Sequence, residues 1–186
     1  MLLTEFDANR QAIINPEALH EPLEGFPKIA VSCFSRLTFQ RMLEMFPHEL
    51  IYEISMANVA IPIYKLVIDD NELAIFNAPV GSSACVGILE DIFALGADKL
   101  VLFGTCGVLD EDIKETSIII PSHALRDEGT SFHYVEASDE IAVNVGVLDH
   151  FRSYLNERQI SHKEGKVWTT DGVYRETNGK LKARKA

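Results

Sequence analysis

Short apolar runs, each broken off by a turn of small residues, constrain this chain more than any other feature. Lys28-Ile29-Ala30-Val31-Ser32-Cys33 follows a proline and reads as a buried strand. Lys99-Leu100-Val101-Leu102-Phe103 is almost continuously apolar, the pattern of a strand covered on both faces. Ser117-Ile118-Ile119-Ile120 and Gly165-Lys166-Val167-Trp168-Thr169-Thr170 read as further strands. Segments of helical period lie between them. Leu37, Met42, Leu43 and Phe46 recur at helical spacing after a candidate cap at Ser35, and Pro47 stops them. Ala84 to Leu95 is a second such segment, ended by Gly96, and Ile141 to Leu155 a third. Pro62 to Ile68 and Leu73 to Phe76 flank the polar turn Asp69-Asp70-Asn71 and read as a hairpin. This order predicts an α/β domain whose central sheet is mixed and mostly parallel, flanked by helices.

The length of 186 residues fits one domain, 1–186, with residues 1–27 as an irregular opening punctuated by Pro16, Pro22 and Pro27. With 47% hydrophobic and 24% charged residues, the composition is that of an ordinary globular protein. A formal net charge of −11 repels polyanions, so nucleic acid is not expected as a partner. It does not exclude a small anion, because backbone N–H groups and one arginine can hold phosphate inside an acidic protein. Three cysteines without CxxC spacing, Cys33, Cys85 and Cys106, argue against a disulfide framework and a zinc site. Cys33 and Cys106, each at the end of an apolar run, are expected to be buried thiols. No run approaches ~18 apolar residues and the first residues lack a basic signal-like stretch, so the expected compartment is the cytoplasm, away from membranes.

Ligands of open α/β sheets sit at the carboxyl ends of the strands. Three small-residue turns are placed there: Ser32 to Arg36, Ala78 to Ser83 and Gly104 to Gly107. Small residues let a ligand approach the backbone, and helix N-termini offer N–H groups to anions.

Several blocks together resemble one family. They are Gly81-Ser82-Ser83-Ala84, Leu89 to Ala97, Phe103-Gly104-Thr105-Cys106-Gly107-Val108-Leu109, Leu125 to Tyr134 and Trp168 to Thr177. This set resembles the core of the purine/uridine nucleoside phosphorylase superfamily, with Leu125 to Tyr134 most similar to its uridine-phosphorylase-like branch. The resemblance implies cleavage of an N-glycosidic bond by inorganic phosphate, giving a free base and ribose 1-phosphate. It implies no metal or organic cofactor, with phosphate as co-substrate and a nucleoside as the other small-molecule partner, and it implies a homo-oligomer. Position by position, Ser32, Arg36, Gly81 and Thr105 fall at phosphate-binding positions, with Arg36 and Thr105 as the catalytic pair. Cys106, Gly107, Thr170, Asp171, Tyr174 and Arg175 fall at nucleoside-binding positions. Arg126 and His133 are either polar site residues or members of a loop that makes its own salt bridges.

Three departures qualify the resemblance. Leu102 stands where many members carry a second phosphate arginine, and Val173 where many place a base-stacking phenylalanine. The sequence closes on Lys180-Leu181-Lys182-Ala183-Arg184-Lys185-Ala186, the opening of a basic amphipathic helix. A member shortened at its C-terminus is therefore expected, lacking the Met-Glu segment that grips ribose. The alternatives to phosphorolysis are hydrolysis by a nucleosidase of the same superfamily and a non-catalytic nucleoside-binding remnant.

Overall fold

The computed structural model describes residues 2–114 and 117–185. The chain divides into two compact units, Asn9–Thr105 and Met1–Ala8 with Cys106–Ala186.

In the Asn9–Thr105 unit, strands β1 (Ile29–Cys33), β2 (His48–Ser55), β3 (Ala60–Ile68), β4 (Asn71–Asn77) and β5 (Lys99–Phe103) form one sheet in the order β2-β3-β4-β1-β5. β1 runs parallel to β4 and β5, whereas β2-β3 and β3-β4 are antiparallel, so the sheet is mixed. The hairpin expected from the sequence is β3-β4. Its turn residues Asp69 and Asp70 have φ of 47° and 62°, a conformation that aspartate tolerates and that fits the twist of two paired strands. β2 was not expected. It is an edge strand with only Ile54 buried and with a bulge between Leu50 and Tyr52, so its apolar alternation is incomplete.

Helix α1 (Arg36–Met45) follows β1, and α2 (Ser82–Leu95) connects β4 to β5. The two cover opposite faces. Adjacent residues of a strand point to opposite sides, and β4 shows it: Phe76 packs with Ile88, Ile92 and Leu95 of α2, while Ile75 packs with Phe39, Met42 and Leu43 of α1. This explains why Ala74, Ile75 and Phe76 are all buried although successive side chains point to opposite faces.

In the second unit, β6 (Ile118–Asp127), β7 (Glu140–Ala142) and β8 (His162–Thr170) lie in the order β7-β6-β8, with β6 parallel to β8 and antiparallel to β7. Helices α3 (Val145–Glu157) and α4 (Asn178–Lys185) belong to the same unit. The strand expected at residues 117–120 runs on to Asp127. Pro121 interrupts its apolar run but is accommodated at a register shift between Pro121 and His123. The helix expected from Ile141 starts only at Val145, because the Asn144 side chain accepts the Val147 N–H at 3.2 Å and Ile141 is taken up in β7.

Candidate functional site

The carboxyl ends of β1, β4 and β5 are neighbours. Cys33 is in register with Asn77 on one side and with Phe103 on the other. The turns that begin at Phe34, Ala78 and Gly104 therefore leave the sheet along one edge, as expected from the three small-residue motifs. Two bonds fix the first pair: the Cys33 carbonyl accepts the Ala78 N–H at 3.0 Å and the Asn77 side-chain amide at 2.7 Å. The third turn packs on the first. A Cβ on Gly104 would stand 2.8 Å from Cδ2 of Phe34, so only glycine permits this approach without moving the ring.

Of the predicted phosphate residues, Arg36, Gly81 and Thr105 lie on or beside these turns, and Ser32 lies inside β1. Ser32 is fully buried between β4 and β5, and its hydroxyl donates to the Phe76 carbonyl at 2.8 Å, which ties β1 to β4. Arg36 is the first residue of α1 and is exposed. The Ser35 side chain caps that helix by accepting the Thr38 N–H at 3.2 Å. Neither α1 nor α2 carries an acid in its first turn, so both amino ends keep their partial positive charge. A cation at Arg36 opposes that local field, and a bound anion would relieve the conflict. Gly81 is the residue before α2, with φ 112° and ψ 132°. That backbone is open almost only to glycine. Gly81→Ala is expected to cost ~1–3 kcal/mol of stability and to displace the turn, read by urea denaturation beside a phosphate titration; an unchanged midpoint would contradict the assigned backbone. Thr105 is exposed two residues beyond β5, and Leu102, at the position of the missing second arginine, is partly exposed.

The predicted nucleoside residues belong to the other unit. Cys106 and Gly107 are exposed in the loop after β5. This corrects the expectation of a buried Cys106: the thiol lies outside any strand, whereas Cys33 and Cys85 are buried. Thr170 ends β8, and its hydroxyl accepts the Gly172 N–H at 3.2 Å. The Asp171 carboxylate accepts the Gly129 N–H at 2.9 Å. Tyr174 and Arg175 lie in the 3-10 turn Val173–Arg175, and both are exposed.

Arg126 bonds to the loop that follows β6, through hydrogen bonds and, among the described residues, not through a salt bridge. Its buried guanidinium donates to Ser131 Oγ, Glu136 O and Ser138 Oγ, each at 2.8 Å, and lies 4.1 Å from the centre of the Phe132 ring. His133 is exposed at the end of the 3-10 turn Thr130–His133. A cavity of about 750 Å³ in this unit is lined by Arg126, Asp127, Phe132, Lys166 and Arg184, and by none of the predicted nucleoside residues. Sequence reasoning missed Asp127. Lys180, at 2.9 Å, is the main reason its carboxyl is held below the usual carboxylate value; partial desolvation opposes this and the Trp168 indole N–H assists it. A depressed folded-state value stabilises the fold above the unfolded pKa of ~3.9 and is lost as pH falls through the lower folded value. Trp168 emission is therefore expected to titrate with a midpoint below ~3.9. A midpoint at or above that value would contradict the ion pair.

Among the described residues, no group of three or more His, Cys, Asp or Glu could hold a metal ion, and no helix is long and apolar enough to cross a membrane.

Residues 28–186 match the family model described as the phosphorylase superfamily. A uridine phosphorylase from Treponema pallidum is 29% identical over 94 residues, 50% of this chain and 36% of that protein. A guanosine phosphorylase from Halorubrum lacusprofundi is 22% identical over 118 residues, 62% and 49% of the two chains. The matched stretches thus span about a third to a half of these relatives. Among solved structures, uridine phosphorylase from Vibrio fischeri superposes with a TM-score of 0.75 at 18% identity, covering 94% of this chain and 72% of that one. Futalosine hydrolase from Helicobacter pylori superposes with a TM-score of 0.67 at 19% identity, covering 84% and 73%.

Proposed function

Since this chain belongs to the phosphorylase superfamily, we propose that it binds a purine or pyrimidine nucleoside together with inorganic phosphate and exchanges the base for phosphate, giving ribose 1-phosphate. The observation that carries the reading is the edge where the turns after β1, β4 and β5 leave the sheet side by side, with Arg36 and two helix amino ends on those turns. Such an edge suits a phosphate dianion. Arginine supplies a planar fork of donors, and backbone N–H groups supply fixed dipoles that need no reorganisation during the reaction.

In this reading Ser32 contributes through its backbone, Arg36 and Gly81 receive the phosphate, and the Thr105 hydroxyl bridges phosphate and sugar. Cys106, Gly107, Thr170, Asp171, Tyr174 and Arg175 address the nucleoside. The chemistry is an attack on an oxocarbenium-like sugar while negative charge develops on the base, so positioning and charge stabilisation supply most of the rate. No cofactor is required. The protein works in the cytoplasm, consistent with three free cysteines, and as a homo-oligomer.

Leu102 favours a second reading. Without a second guanidinium the phosphate position is weakened, and water could take its place as in a nucleosidase. Incubation with uridine, inosine and guanosine, with and without phosphate, separates the readings. Phosphorolysis predicts base release only with phosphate, accompanied by ribose 1-phosphate. Free ribose at equal rates in both buffers would replace it with hydrolysis, and calorimetric binding of a nucleoside without turnover would leave a binding protein.

A further inference from the structure

We propose that Asp127 is the positioning residue of the base-side turn, holding Thr170 and Asp171 in the conformation that receives a nucleoside. The substrate in this inference rests on the functional reading above; its geometry rests on hydrogen bonds within one unit. Asp127 ends β6 in register with Thr170, the last residue of β8. Its main-chain oxygen accepts the Asp171 N–H at 3.2 Å. Its carboxylate accepts the Trp168 indole N–H at 3.1 Å and the Lys180 ammonium at 2.9 Å, and it hydrogen-bonds the Thr170 side chain. The Thr170 oxygen in turn receives the Gly172 N–H, and the Asp171 carboxylate receives that of Gly129. One half-buried side chain therefore joins the end of β6, the end of β8, the turn at 170–172 and the start of α4.

The donor and acceptor count makes the role specific to a carboxylate. Three groups face Asp127 as donors: an indole N–H, an ammonium and a hydroxyl. A carboxylate offers acceptors on both oxygens, whereas an asparagine offers one acceptor oxygen and sets an NH2 donor against the remaining donors. Asp127→Asn therefore keeps the shape and loses the match. Its main-chain oxygen remains, so the loss falls first on Trp168, Lys180 and Thr170, and through Thr170 on Gly172.

Trp168 is the single tryptophan of the chain, so its emission reports this contact directly. The test compares the full chain with Asp127→Asn, and with Lys180→Met as a control that spares the Thr170 and Trp168 contacts. The readouts are Trp168 emission, hydrogen exchange at Asp171 and Gly172, and calorimetric Kd values for uridine and for inorganic phosphate. For Asp127→Asn the expected result is altered emission, exchange at Gly172 faster by about tenfold or more, a uridine Kd raised by a similar factor, and an unchanged phosphate Kd. Unchanged exchange at Gly172 would overturn the proposal, as would equal weakening of uridine and phosphate, which marks a general loss of folding. If the unsubstituted chain binds no nucleoside, the functional reading fails by itself, and exchange at Gly172 still decides the ordering role. Should Asp127→Asn not fold, Thr170→Val removes the same link to Gly172 and is expected to speed its exchange, with no change overturning the proposal.

Discussion

Arg36→Ala is expected to weaken inorganic phosphate binding by about 10- to 150-fold, the worth of a charge-assisted pair of ~1.5–3 kcal/mol. The upper part of that range is favoured here. Leu102 leaves no second guanidinium at the matching position of β5, so no neighbour on that strand compensates. The same substitution removes a cation from the first turn of α1, which by itself stabilises the helix by a few tenths of a kcal/mol. Binding and stability should therefore move in opposite directions, a combination that generalised damage cannot produce. Arg36→Lys keeps the charge but loses the planar fork, and should recover only part of the affinity. Calorimetry with phosphate, beside urea denaturation of the same variants, reads both effects. A phosphate Kd within twofold of the original would remove Arg36 from the site.

The largest effect on stability is expected from Phe76→Ala, at ~3–5 kcal/mol. Phe76 is fully buried in β4, in one core cluster with Ile88, Ile92 and Leu95 of α2, Ile63 of the neighbouring β3 and Ile54 of β2. The surrounding residues come from a sheet and a helix fixed at both ends, so the void collapses only in part. Against a total stability of ~5–15 kcal/mol, this is a large fraction of the whole. Leu50→Ala, on the exposed edge strand β2, should cost under ~1 kcal/mol. Urea midpoints at constant slope measure both, and a smaller loss at Phe76 than at Leu50 would contradict the assignment of the core.

The elements legible in the sequence were those whose signal is local. β1, β5 and α2 are apolar runs with a proline, a glycine or a small-residue turn at their ends. The β3-β4 hairpin carries its own turn in Asp69 and Asp70. The elements missed depend on partners far along the chain. β2 takes its strand character from pairing with β3, since few of its side chains are buried. β6 continues past Pro121 because β8 runs beside it on both sides of the bulge.

The site divides in the same way. The three small-residue turns announce themselves through glycine and serine after buried strands, and their adjacency follows from the parallel pairing of β1 with β4 and β5. That Ser32 spends its hydroxyl on Phe76 was not legible, because a small polar residue at a strand end reads alike whether buried or free. Asp127 was hidden for a related reason. Its partners Thr170, Trp168 and Lys180 are 41 to 53 residues away, and only the β6-β8 register brings them to it. Asn144 offered a usable cap signal that would have corrected the start of α3.

The phosphate edge itself is tested most directly by titrating the ¹⁵N-labelled chain with inorganic phosphate and following backbone amides. The account predicts that amides at residues 34–36, 81–83 and 104–105 shift together along a single binding curve, and that Arg36→Ala moves that curve to higher phosphate as a unit. Shifts at only one of the three turns, curves with different midpoints, or no shifts at any of them would show that these turns do not share a ligand.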